Sequence, residues 1–209
     1  MIQNIIFDMG RVLIHWDPDR IVARLSLSEE DAMLLRREVF DNVEWVSMDR
    51  GTLSQEEGLH RICRRLPSHL WEAARACVFD WWKGPLRPVP GMAELIEELD
   101  GLGYTIYLLS NATSPLHEYF HRIPGAAYFS GKIVSADWGL LKPQREIYEK
   151  LFSTFSLRPE TCFFIDDSPL NIDGALCAGM AGTVFLGDMA RLRRELIAAG
   201  IPVQEDSLS

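Results

Sequence analysis

Basic residues are in the minority in this 209-residue sequence, where 21 Lys and Arg stand against 30 Asp and Glu and the formal net charge is −9. A chain with this balance offers no broad positive surface to nucleic acid and no polybasic patch to an anionic membrane. We therefore expect neither kind of partner. Any anion that binds must meet a positive group that is local to its site.

Cysteine and long apolar runs are also scarce. The four cysteines, Cys63, Cys77, Cys162 and Cys177, form no C-x-x-C pair. In a chain of this length, such scattered thiols indicate neither a disulfide framework nor a zinc site. The apolar run in residues 1–8 is too short for a signal peptide or a membrane span, and no later run approaches that length. We expect reduced thiols and a cytoplasmic location.

What the sequence does contain is typical of a compact domain, with 47% hydrophobic and 24% charged residues. Short apolar runs bounded by turn residues predict five buried parallel strands. Stretches of helical periodicity alternate with the later strands, which predicts a Rossmann-like, doubly wound α/β sheet. The predicted strands are 4–7, 104–109, 132–135, 161–165 and 183–186, and the predicted helices of the sheet region are 92–102, 114–122, 144–155, 170–178 and 190–199.

Residues 16–87 interrupt this alternation, because they show helical patterns and no convincing strand. Ser28 and Ser54 precede two of these patterns in the positions of helix N-caps. A proline-rich passage then returns the chain to the sheet. We predict an all-helical cap at 16–87, inserted after the first strand into an α/β core made of residues 1–15 and 88–209.

Five of the six tryptophans lie in this predicted cap: Trp16, Trp45, Trp71, Trp81 and Trp82. They suit either of two roles, which are packing between helices and lining a pocket for a sugar or another ring. We favour packing, because large aromatic side chains mostly lie in protein cores.

Polar side chains follow the first two predicted strands at their carboxyl ends, where open α/β sheets bind ligands. Asp8 ends the first strand, with Gly10 two residues later in a tight loop, and Ser110 and Asn111 end the second. A hydroxyl, an amide and backbone N–H groups suit the oxygens of a phosphate. Taken singly, the aspartate also fits a turn, and the Ser-Asn pair also fits a helix N-cap.

Charged side chains follow the third and fourth predicted strands. Lys142 stands directly before a proline and can neutralise a phosphate, although an isolated lysine is more often a solvated surface residue. Asp166 and Asp167 end an apolar strand, where adjacent carboxylates repel each other unless a cation or hydrogen bonds compensate. Mg²⁺ prefers such oxygen ligands. We predict a Mg²⁺ site here, with a helix-capping pair before Asn171 as the alternative.

The order of these four motifs resembles that of the haloacid dehalogenase-like superfamily, in the phosphatase branch that carries a helical cap. The resemblance covers essentially the whole chain. It implies that Asp8 is the nucleophile and that Lys142 balances charge. It also implies that Ser110 and Asn111 hold the transferring phosphoryl group. The implied metal ligands are Asp8, the carbonyl of Gly10, Asp167 and, in a secondary role, Asp166.

Gly10 departs from the usual D-x-D of these phosphatases, whose second aspartate serves as general acid and base. Some sugar-phosphate phosphatases of the superfamily resemble this chain in reading D-x-G. We expect a Mg²⁺-dependent phosphatase that hydrolyses a small phosphorylated metabolite through an aspartyl phosphate. A sugar 1-phosphate is our specific hypothesis, because its hemiacetal leaving group is more acidic than an alcohol. Arg11 and His15 are candidate substrate contacts.

Two other functions stay open at this stage, as does the oligomeric state. A haloacid dehalogenase would use the same aspartate without a metal, and the pair Asp166 and Asp167 argues against it. A binding or regulatory domain that lost its catalytic acid at Gly10 is the other alternative. The presence of Asp8, Lys142 and Asp167 argues against that function.

Overall fold

The computed structural model describes residues 1–205, and within them five parallel strands form a single sheet. The strands are Asn4–Phe7 (β1), Thr105–Ser110 (β2), Phe129–Val134 (β3), Cys162–Asp166 (β4) and Ala181–Val184 (β5). Their order across the sheet is β3-β2-β1-β4-β5. The strand order therefore reverses at β1, which pairs with both β2 and β4, and such a reversal is where open α/β sheets bind ligands.

Ten α-helices lie in the same described range, five in the helical segment that follows β1 and five in the sheet region or at its entry. The first group is Pro18–Ala23 (α1), Glu29–Phe40 (α2), Val43–Arg50 (α3), Gln55–Cys63 (α4) and Trp71–Arg75 (α5), and Met92–Gly101 (α6) leads into β2. The remaining helices are Leu116–Tyr119 (α7), Arg145–Phe155 (α8), Pro169–Cys177 (α9) and Met189–Ala198 (α10). None of them is long and apolar enough to cross a membrane.

Successive strand residues point to opposite faces of the sheet, and apolar clusters cover both faces. Ile5 and Phe7 join one buried cluster, which includes apolar residues of α6 and α10. Ile6 joins the cluster on the other face, together with apolar residues of α8 and α9. All four residues of β1 are buried. This arrangement explains why the strand reads as a continuous apolar run, and it confirms the predicted doubly wound fold.

The helices between β1 and α6 surround a separate apolar cluster that includes the fully buried Leu35, Ile62 and Leu70. Ser28 accepts a hydrogen bond from the Asp31 N–H at 3.2 Å, and Ser54 accepts one from the Glu57 N–H at 3.1 Å. Both predicted N-caps are thus confirmed. A helical insertion after the first strand is present, while its exact limits at 16 and 87 stay a prediction.

The elements differ from the sequence prediction in a few places. The helices α1, α3 and α5 were not predicted. Two of them carry ordinary start and stop signals: Asp17 caps α1 directly before Pro18, and Asn42 and Gly51 flank α3. The predicted helix 114–122 was too long, and α7 begins only after Pro115, because the residue before a proline disfavours helical geometry. The four cysteines are free, as expected.

Candidate active site

The carboxyl ends of the central strands open into a cavity of about 270 Å³ that lies between the sheet and the helical insertion, of which α3 lines the cavity with Trp45 and Asp49. Nearly all the residues singled out from the sequence line this cavity. They are Asp8, Gly10, Arg11, Ser110, Asn111, Lys142 and Asp167. Asp166 is fully buried and contacts Lys142, and the other candidate substrate contact, His15, is exposed and lies outside this cavity.

Lys142 is the centre of the charge network. Its Nζ donates hydrogen bonds to Asp8 Oδ1 at 2.6 Å, to Asp166 Oδ2 at 2.6 Å and to the carbonyl of Leu109 at 2.9 Å. Burial by itself would lower the pKa of the ammonium, but the two carboxylates raise it above its ordinary value. Lys142 is therefore a buried cation, and the surface-lysine alternative is wrong.

Asp8 presents its carboxyl group at the tip of β1. Its backbone N–H donates to the Ile165 carbonyl at 2.9 Å, which holds this tip beside β4. Burial raises the pKa of Asp8 to about 7, with Lys142 lowering it and Asp166 raising it. A cation next to this carboxyl group would favour its ionised, nucleophilic form.

The two adjacent acids occupy different environments. Asp166 accepts hydrogen bonds from Lys142, from the Ser168 N–H at 2.8 Å and from Asn171 Nδ2 at 2.9 and 3.1 Å. Asp167 instead faces the cavity and lies 3.5 Å from the Arg11 guanidinium. Burial and the neighbouring Asp166 raise the pKa of Asp167. The capping alternative thus describes Asp166 in part, and it does not describe Asp167.

The carboxylate oxygens fit a hard divalent cation. One oxygen each from Asp8, Asp166 and Asp167 lies within 4.8 Å of the others. Three carboxylates at this spacing need a compensating positive charge, and Mg²⁺ prefers ligands of this kind. Asp167 is the most available of the three, because Lys142 already contacts the other two.

Asn111 uses its side chain to position Lys142. Its Nδ2 donates to the Lys142 carbonyl at 3.1 Å, and its Oδ1 accepts from the Lys142 N–H at 2.8 Å. Ser110 is buried at the end of β2 and lines the cavity. The helix N-cap alternative for this pair is wrong, because the first α-helix after β2 begins only at Leu116, and the Ala112 N–H donates to Ser135 Oγ instead.

Aromatic side chains form the wall opposite the sheet. Trp16, Trp45 and Trp81 line the cavity, and the ring centroid of Trp16 lies 5.5 Å from that of Trp45 and 4.5 Å from that of Trp81. These three tryptophans pack against one another as predicted, and they also form the pocket wall, which we had not favoured. Trp71 departs from the packing prediction, since 49% of it is exposed.

Asp49 is the acidic cavity residue that the sequence patterns did not reveal. It lies in the last turn of α3, a helix that periodicity did not predict. Burial raises the pKa of its carboxyl group well above the ordinary range, and the negative charge of Asp8 adds to the effect, whereas a hydrogen bond from Trp45 opposes it. Recognition of Asn42 and Gly51 as helix-end signals would have located α3, but not the cavity that Asp49 faces.

The sheet topology and the position of the site define an α/β protein with a ligand cavity at the carboxyl ends of its parallel strands and a helical insertion after the first strand. At the level of family, a sequence profile described as haloacid dehalogenase-like hydrolase matches residues 2–179. The chain therefore belongs to the haloacid dehalogenase-like hydrolases.

Individual relatives agree with this assignment. The chain is 29% identical to a sesquiterpene phosphatase of Aspergillus oryzae, over 88% of this chain and 90% of that protein. It is 25% identical to flavin mononucleotide hydrolase 1 of Arabidopsis thaliana, over 78% of this chain and 65% of that protein. A haloacid dehalogenase family enzyme of Bacteroides thetaiotaomicron, solved with magnesium and inorganic phosphate, aligns with a TM-score of 0.66 at 21% identity, over 92% of this chain and 99% of that one. The predicted family, fold and enzyme class are confirmed.

Proposed function

We propose that this chain is a Mg²⁺-dependent phosphatase that transfers the phosphoryl group of a small organic phosphate onto Asp8. The observation that carries the proposal is the contact between Lys142 Nζ and Asp8 Oδ1 at 2.6 Å, in a cavity that also contains the Asp167 carboxylate. The buried ammonium orients the Asp8 carboxylate, and the Asp167 carboxylate beside it is available to bind a metal cation. Such an arrangement is suited to receiving a phosphate dianion.

In this mechanism Lys142 fixes one oxygen of Asp8, and the carboxylate attacks phosphorus in line with the leaving group. Ser110 and Asn111 hold the phosphoryl oxygens, and water then hydrolyses the aspartyl phosphate. Asp8 and Asp167, with the Gly10 carbonyl, would hold Mg²⁺, and Asp166 would support them. When bound, Mg²⁺ would offset the repulsion between the substrate and the carboxylates.

The function is tested with 4-nitrophenyl phosphate as a generic substrate. We expect turnover that is lost in EDTA, restored by Mg²⁺ and absent in Asp8→Asn. Asp80→Asn is a matched control, because Asp80 pairs with Arg75 and Lys83 outside the cavity. Chloride release from a haloacid without metal would favour the dehalogenase alternative. No turnover above the Asp8→Asn background on any phosphate would favour a binding domain.

The D-x-G motif supports a hexose 1-phosphate as substrate, because a hemiacetal leaving group needs less protonation than an alcohol. Trp16 or Arg11 would contact the sugar. The measurement is kcat/KM for glucose 1-phosphate and glucose 6-phosphate, and we expect the 1-phosphate to be preferred. A clear preference for the 6-phosphate would show that Gly10 does not shape the substrate range.

The aromatic wall favours a second candidate substrate class, in which the leaving group is itself apolar or aromatic. Trp16, Trp45 and Trp81 offer flat faces to such a group. The names of the two curated relatives point the same way, since one acts on a sesquiterpene phosphate and the other on flavin mononucleotide. Farnesyl phosphate and flavin mononucleotide therefore belong in the same panel, and the largest kcat/KM decides between the classes.

The helical segment would act as a lid that hinges near residues 15–17 and 85–90. Trp45 and Asp49 of α3 complete the cavity above Asp8, so displacement of this helix would open it to solvent. Closure would exclude water during phosphoryl transfer. Structures with and without a bound phosphate analogue test the hinge, and an identical, sealed lid in both would contradict it.

A further inference from the structure

The proposed mechanism leaves the leaving group without a proton donor on the sheet side of the site, because position 10 is glycine. A carboxyl group reaches the same cavity from the opposite side. Asp49, near the end of α3, lines the cavity together with Asp8 and Gly10. The reacting phosphate would therefore lie between the nucleophile on the sheet and an acid on the lid.

Asp49 is held in place by the way in which the end of α3 packs on the core. Within α3, Trp45 lies one helical turn before Asp49 and lines the same cavity. Toward the core, the Asp49 backbone carbonyl accepts a hydrogen bond from Ser135 Oγ. The end of α3 also approaches the core so closely that a Cβ at Gly51 would collide with the Ala136 carbonyl. The carboxyl group is thus positioned by packing rather than by a flexible loop.

The surroundings of Asp49 favour the protonated form of its carboxyl group. Burial disfavours its ionised form, and the negative charge of Asp8 does so as well, against the opposing hydrogen bond from Trp45. Tyr119, whose own pKa is raised chiefly by burial, also lines the cavity. A protonated carboxyl group at this place is able to donate a proton.

We infer that Asp49 is the general acid and base of this enzyme, in the role for which an aspartate at position 10 would otherwise serve. The inference rests on the proposed phosphatase function. As Asp8 bonds to phosphorus and the bond from phosphorus to the leaving oxygen breaks, the Asp49 proton passes to that oxygen. In the second step the Asp49 carboxylate takes a proton from water, whose oxygen bonds to phosphorus as the bond to Asp8 breaks.

This assignment ties proton transfer to lid position. Asp49 belongs to the helical segment, whereas Asp8, Lys142 and Asp167 belong to the sheet region. The acid therefore meets the leaving oxygen only when α3 is docked at Ser135. A substrate that fails to close the lid would keep the nucleophile but lose the proton donor.

The test compares Asp49→Asn with the wild type on phenyl phosphate and 4-nitrophenyl phosphate, whose rings are similar and whose leaving groups differ in acidity. For phenyl phosphate we expect kcat/KM to fall by about 100- to 10,000-fold, the usual contribution of acid catalysis. For 4-nitrophenyl phosphate we expect a fall of less than about tenfold. That substrate should also show a burst of nitrophenolate followed by slow turnover, because the base for the second step is missing.

Three comparisons make the result decisive. Asp80→Asn serves as the matched lid control and should leave both substrates unaffected. Wild-type turnover that depends on Mg²⁺ and disappears in Asp8→Asn must be present, since its absence would reject the phosphatase proposal and not the role of Asp49 alone. Equal losses on both aryl phosphates, or full activity on both, would overturn the role of Asp49. If Asp49→Asn does not fold, Asp49→Glu is compared with the wild type on the same two substrates, because glutamate retains the carboxyl group but displaces it.

Discussion

Lys142→Met removes one buried positive charge from between two carboxylates. The Lys142 Nζ lies 2.6 Å from both Asp8 Oδ1 and Asp166 Oδ2, and 1% of the lysine side chain is exposed. Methionine is unbranched and adapts to irregular space, so the variant changes the charge far more than the packing. The two carboxylates are then left facing each other without their shared counterion.

The expected loss of stability follows from this geometry. Breaking a buried ion pair by removing one partner commonly costs about 3–5 kcal/mol, because the remaining charge stays desolvated and uncompensated. We apply this range once, since a single ammonium serves both contacts. A domain is usually stable by about 5–15 kcal/mol, so the free energy of unfolding should fall by a large fraction. The corresponding decrease in Tm for a chain of this size is about 6–20 °C.

The loss should grow with pH. Burial raises the pKa of Asp8 to about 7 even though Lys142 lowers it, so removal of Lys142 raises the pKa of the folded state further. A carboxyl group with a raised folded-state pKa contributes stability that is present at low pH and lost as pH rises through that pKa. The difference between the wild type and the variant is therefore expected to be larger at about pH 8 than at about pH 6.

Urea unfolding in EDTA at the two pH values measures both effects. Lys83→Met is the control, because Lys83 is 58% exposed and pairs with Asp80 at the surface, where an ion pair contributes about 1 kcal/mol or less. If Lys142→Met were as stable as the wild type at the higher pH, the network around Asp8 would not depend on a charged lysine, and our account of the site would be wrong.

Three further variants test the acid pair and the helical insertion. Asp167→Ala should abolish Mg²⁺-dependent turnover with little change in the free energy of unfolding. Asp166→Ala leaves Lys142 with one carboxylate partner fewer, and its free energy of unfolding should fall by about 3 kcal/mol. Calorimetric Mg²⁺ titration and urea unfolding of both variants measure these effects, and wild-type Mg²⁺ affinity in Asp167→Ala would contradict the assignment. Arg65→Met should lower the stability by about 2 kcal/mol, since Arg65 hydrogen-bonds Glu44 at 2.9 Å and Glu38 at 2.7 Å. Arg65 lowers the pKa of Glu44, and that of Glu38 in spite of its burial, so its contribution is complete above the ordinary glutamate pKa and is lost as pH falls through the folded values. Thermal unfolding that shows the same difference at neutral and acidic pH would refute this linkage.

Local patterns in the sequence were enough to predict the sheet and its reactive edge. Buried parallel strands read as apolar runs because both faces are covered, and β1 was located correctly at both ends for this reason. Parallel strands bring their carboxyl ends to one edge, so strand positions alone are enough to group Asp8, Ser110 and Asp167. The family resemblance depends on the same motifs.

The tertiary structure decided what each of these residues contacts. Asp166 and Asp167 are adjacent in sequence but have different surroundings, because, of the two, Lys142 and Asn171 hydrogen-bond only Asp166. The sequence by itself determined which side chains would meet at the sheet edge, because strand periodicity and parallel pairing are local rules. Only the docking of α3 on Ser135 decided that Asp49 and Trp45 line the same cavity as Asp8, because this contact depends on long-range packing between two separate apolar clusters.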